Sequence, residues 1–108
     1  MAVYLDHNAT TPLDQRVLEA MYPYMTECFG NPSSVHSYGR LVRSAIDQAR
    51  EQVAVLVNAH PSQVIFTSGG TEANNMVFAG LAKRCSAGRA LISAIEHPSV
   101  LRSAPRHL

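Results

Sequence analysis

The stretch Val64-Ile65-Phe66-Thr67-Ser68-Gly69-Gly70-Thr71-Glu72 constrains this chain more than any other. Four β-branched or aromatic residues, 64–67, lead toward adjacent glycines, and the apolar pattern Met76, Val77, Phe78, Leu81 follows. The first part favours a strand and the last an amphipathic helix. A strand that turns through glycines into a helix leaves the first helical N–H groups without intrahelical acceptors, where the helix dipole is positive. Glycine allows close approach to the backbone, so such a turn suits an anion. Ser68 and Thr71 add hydroxyl donors. Glu72 fits the dipole but would repel an anion, so it is expected to face away from the site. Two phosphate patterns are excluded: GxxxxGK[ST] needs a lysine after the glycines, and GxGxxG needs a third glycine in register. On the loop alone, a plain helix start is an equal alternative.

The rest of the chain supplies context. Thr11-Pro12 reads as a helix cap and first residue, with Asp14 at the third position. A helix over residues 12–25 then places Val17, Ala20, Met21 and Tyr24 on one face, with Pro23 kinking or ending it. Residues 29–40, rich in Gly, Pro, Asn and Ser, form a loop. A helix over 38–57 follows, with Leu41, Ala45, Ala49 and Val53 in a stripe flanked by Ile46 and Leu56. Residues 58–62 break it. Strands are expected at 64–67 and 90–95, with a helix between them that ends in Lys83-Arg84 and is closed by Gly88. The second strand is apolar almost throughout, as in a parallel sheet covered on both faces. Another helical run begins after Pro98. The expected class is α/β, built on a βαβ unit that two strands alone do not complete. Ligands gather at the carboxyl ends of parallel strands, which puts His97 beside the glycine turn. An imidazole there is suited to stacking on a flat ring or exchanging a proton; its bland reading is a satisfied structural histidine.

Composition narrows the partners. The chain has 108 residues and a formal charge of +1, so no general field draws in nucleic acid or anionic lipid. No apolar run is long enough to span a membrane, and the opening has no secretory pattern. Cys28 and Cys85 form no CxxC or zinc spacing and read as reduced thiols of a cytoplasmic protein. The five histidines have no metal-site spacing.

Four stretches, in order, resemble the N-terminal part of the cysteine desulfurases, class V aminotransferase-like enzymes of fold type I. They are Tyr4-Leu5-Asp6-His7-Asn8-Ala9-Thr10-Thr11-Pro12; Gly30-Asn31-Pro32-Ser33-Ser34 with His36 and Gly39-Arg40; Ile65 to Glu72; and Glu96-His97-Pro98-Ser99-Val100. The resemblance implies an N-terminal arm at 1–13, a helical segment at 14–60, and an incomplete large domain at 61–108 that binds pyridoxal 5′-phosphate (PLP). It implies that Gly70 and Thr71 hold the phosphate and that His97 stacks on the pyridine ring and assists proton transfer. It places Asn8 on the substrate side. The family converts L-cysteine to L-alanine and leaves the sulfur as a persulfide on an enzyme cysteine. That sulfur goes to an acceptor or scaffold protein for iron–sulfur cluster assembly or tRNA thiolation. Family members are homodimers.

The family also needs a lysine that binds the cofactor covalently, and the only lysine here is Lys83. Twelve positions beyond Thr71, it lies about 18 Å along the helix at 1.5 Å per residue, too far for the cofactor to bridge. Neither Cys28 nor Cys85 sits in a motif resembling the persulfide loop. The chain by itself is therefore expected to be inactive, marginally folded and cut short. The alternatives are a piece of a related class V enzyme such as a selenocysteine lyase, a freestanding anion-binding α/β module, or a regulatory piece that pairs with a full-length subunit.

Overall fold

The computed structural model describes residues 2–85 and 89–107. Its helices are α1 (Gln15–Thr26), α2 (Ser37–Leu56), α3 (Gly70–Arg84), α4 (Pro98–Leu101) and α5 (Ala104–His107), with a 3-10 turn at Pro61–Gln63. The chain divides into two compact units, Met1–Val64 and Ile65–Leu108.

In the first unit, α1 starts later than the sequence suggests. Its cap is Asp14, not Thr11: the carboxylate accepts from the Arg16 N–H at 2.9 Å. Asp caps at least as well as Thr, and the Thr11 hydroxyl is already 3.2 Å from His7 Nδ1. The Arg16 guanidinium grips the same carboxylate at 3.0 and 2.8 Å. Pro23 does not end α1, which continues to Thr26. Lying in the last turn, its ring removes one helical N–H, while its carbonyl accepts from Glu27 and Cys28 N–H at 2.9 and 2.8 Å and closes the helix.

α2 is capped by His36, whose Nδ1 accepts from Gly39 N–H at 3.4 Å. Gly39 is buried against the preceding loop. A Cβ there would stand 2.3 Å from the Ser34 carbonyl oxygen and 2.6 Å from that of Asn31. Only glycine lets the loop lie this close to the first turn. The face of α1 carrying Val17, Ala20, Met21 and Tyr24 lines one side of an open groove of about 870 Å³; Ala45, Ile46 and Ala49 of α2 line the other. Ala54 is fully buried where α2 meets the 3-10 turn. Asn58, with φ at 52°, reverses the chain after α2, and the Ala59 N–H reaches back to the Ala54 carbonyl at 2.8 Å.

In the second unit, α3 packs against α4 and α5, burying Ser99, Ser103 and Ala104. No strand forms among the described residues, so the sheet expected from 64–67 and 90–95 is not seen. Val64 is extended, at φ −92° and ψ 123°. Its N–H bonds the Pro61 carbonyl at 3.1 Å, and its own carbonyl accepts from the Arg50 guanidinium. A strand exists only as one rung-bearing partner of a ladder, and 64–67 and 90–95 form no ladder with each other. Their apolar side chains are left in water: Leu91 is 95% exposed and Ile95 94%. The helical run after Pro98 is split into α4 and α5 by Arg102 and Ser103. Gly88, expected to close α3, lies outside the described residues.

Candidate functional site

The site is built on the first turn of α3. Its cap, Gly69, has no side chain to satisfy the helix, and none from elsewhere does so. The first intrahelical bond runs from Ala73 N–H to the Gly69 carbonyl at 3.1 Å. The N–H groups of Gly70, Thr71 and Glu72 therefore precede the ladder and have no protein acceptor among the described residues. A Cβ at Gly69 or at Gly70 would meet nothing within 4 Å, so the space over both is open. Thr71 is exposed, its hydroxyl has no partner among the described residues, and its carbonyl accepts from Asn75 Nδ2 at 2.8 Å. Three N–H donors, one hydroxyl, the positive helix end and a backbone without Cβ atoms fit a phosphate group.

Ser68 departs from expectation. Glu72 turns back on the loop, accepting from Ser68 N–H at 2.6 Å and from its hydroxyl at 2.7 Å. The Ser68 backbone N–H, helped by the hydroxyl, holds the Glu72 carboxyl below the usual glutamate range. Ser68 thus braces the turn through Glu72 and does not offer its hydroxyl to a ligand. Thr67 adds a second brace, its hydroxyl donating to the Gly69 carbonyl at 3.1 Å.

His97 stands at the cap of α4. Its Nδ1 accepts from Ser99 N–H at 3.1 Å and lies 2.8 Å from the Ser99 hydroxyl. The ring is exposed, while Ser99 is buried. From α3, Asn74 Nδ2 donates to the Ser99 hydroxyl at 2.8 Å. Asn74 lies one turn beyond Thr71, so this bond ties the histidine-bearing turn to the helix that carries the glycine turn. The sequence motifs include Ser99 but give Asn74 no role. The signal for Ser99 is that His-Pro-Ser occurs twice, at 60–62 and 97–99, and both copies cap a helical turn through Nδ1.

The other candidates are not part of this turn. Asn8 belongs to the first unit, in a turn where Ala9 and Thr10 N–H bond the Asp6 carbonyl at 3.1 and 3.3 Å. Lys83 occupies the last turn of α3, at the opposite end from Gly70. Cys85 follows it, exposed; Cys28, half-buried, follows α1; both thiols are free. Among the described residues no His, Cys, Asp and Glu cluster could hold a metal ion.

An uncapped helix start over paired glycines, tethered to a histidine-bearing turn, is an arrangement suited to an anion. The chain belongs to the class-V aminotransferase family, whose model matches residues 3–106. It is 50% identical over 103 residues to the cysteine desulfurase IscS 1 of Archaeoglobus fulgidus, covering 94% of this chain and 27% of that protein. It is 48% identical over 104 residues to the mitochondrial cysteine desulfurase of Drosophila melanogaster, covering 94% of this chain and 22% of that one. A solved NifS-like protein superposes with a TM-score of 0.86 at 38% identity, over 98% of this chain and 30% of its own. That likeness puts the chain in the α/β class. The chain thus spans about a quarter of the length of the curated relatives it matches.

Proposed function

We propose that this chain is the phosphate-cup part of a PLP-dependent cysteine desulfurase, which takes L-cysteine to L-alanine and passes the sulfur to an acceptor. The observation that carries this reading is the open first turn of α3, with three unpartnered N–H groups beside Gly69 and Gly70. Gly70 and Thr71 would hold the cofactor phosphate, through backbone N–H and the Thr71 hydroxyl. His97 would lie against the pyridine ring, with Nε2 left to hold or move a proton. Asn8 would line the substrate side. When bound, PLP supplies the electron sink for breaking bonds at the amino-acid carbon. The residues described here bind and orient it.

Several finer features belong to the same reading. Residues 64–67 and 90–95 would be strands of a parallel sheet when further strands pair with them. The working enzyme would be a cytoplasmic homodimer that hands sulfur to a scaffold or acceptor protein for iron–sulfur cluster assembly. Among the described residues no helix is long and apolar enough to cross a membrane.

The test uses 4-deoxypyridoxine 5-phosphate, which has the ring and phosphate but no aldehyde to react with Lys83. Equilibrium dialysis should show saturable binding by the 108-residue chain, with the phosphate-free analogue far weaker. Thr71→Ala should weaken binding about tenfold, or about 1.4 kcal/mol, in line with one hydrogen bond to a charged group. Equal binding of the two analogues would sink the proposal.

A further inference from the structure

We propose that Asn74 and Ser99 are positioning residues that hold the His97 imidazole in its Nε2–H form and fix its plane. The use of that ring rests on the function proposed above; the positioning itself does not. Ser99 is 8% exposed, so its hydroxyl proton needs an acceptor within the protein. Asn74 Nδ2 donates to one lone pair of the hydroxyl oxygen at 2.8 Å. His97 Nδ1, at 2.8 Å, is then the acceptor for the hydroxyl proton. The Ser99 backbone N–H points at the same nitrogen from 3.1 Å. A ring nitrogen that accepts is unprotonated, so the proton of the neutral ring lies on Nε2. The relay runs Asn74 amide, Ser99 hydroxyl, His97 Nδ1, and it leaves Nε2–H as the end that faces out.

The second His-Pro-Ser copy shows what the relay adds. His60 Nδ1 accepts from Ser62 N–H at 3.3 Å and sits 2.8 Å from the Ser62 hydroxyl, as in the first copy. Ser62 is exposed, however, and among the described residues no further side chain holds its hydroxyl. The His60 cap is therefore local. The His97 cap is anchored to α3 by a bond that spans 25 positions in sequence.

The experiment is long-range proton–nitrogen NMR on the uniformly labelled 108-residue chain at pH 8. His97 should show the Nε2–H pattern. Asn74→Asp replaces the amide by a group that only accepts and so draws the Ser99 hydroxyl away. The two His97 nitrogen resonances should then move toward each other while those of His60 stay put. Ser99→Ala should do the same, and Ser99→Thr should restore the original pattern. Should Asn74→Asp fail to fold, the Ser99 pair decides the matter. Unchanged His97 resonances in Ser99→Ala, or equal movement at His60, would overturn the proposal. Because this readout involves no cofactor, its failure is separable from failure of the analogue-binding test.

Discussion

Gly39 and Glu72 show how single residues fix this chain's loops. At Gly39 the obstacles to a side chain are backbone oxygens, which cannot swing aside. Gly39→Ala should destabilise the first turn of α2 by about 1–3 kcal/mol, the usual range for overpacking, read as faster amide exchange there. Glu72 is a matter of charge. Its carboxyl is held below the ordinary value by Ser68, so the brace is fully present above the ordinary glutamate range. It is lost as pH falls through the depressed value in the folded chain. The Ser68 amide proton resonance should therefore titrate in acid with a midpoint below that of a free glutamate. Glu72→Gln should abolish that titration; an unchanged curve in this variant would refute the assignment.

Among the elements, the expected helices form and the expected strands do not form among the described residues, for one reason. A helix satisfies its backbone internally, so local pattern suffices; the apolar spacing over 38–57 matches α2 to within a residue at each end. A strand needs a partner, and the pattern at 64–67 says nothing of where that partner is. Helix starts misled where two good caps competed, Thr11 and Asp14, and only the structure shows Thr11 engaged by His7. The glycine turn could be read from its residue types, but the orientation of Glu72 could not, because Ser68 serves a ligand or a neighbour equally well. Pro23 offers a test at this scale. Pro23→Ala restores an N–H to α1 and should raise its stability, seen as slower amide exchange at the helix end. Unchanged exchange would show that the last turn is set by the Pro23 carbonyl alone.

For the whole molecule, the telling feature is how little is buried. Among the described residues the buried apolar side chains are two alanines, Ala54 and Ala104. Leu5, Val35, Leu91 and Ile95 are all more than 85% exposed, far from the packed interior that gives a cooperative transition. The chain alone should bind a hydrophobic dye strongly and melt broadly. A monomer with a sharp calorimetric transition would contradict this. The same chain should release no sulfide or alanine from L-cysteine, since Lys83 lies at the far end of α3.

That placement of Lys83 has a practical side. An amine-directed dye has one lysine to react with, besides the chain's own α-amino group. Lys83 is exposed and stands at the opposite helix end from Gly70. A fluorophore carried there would report on ligands arriving at the glycine turn without obstructing them.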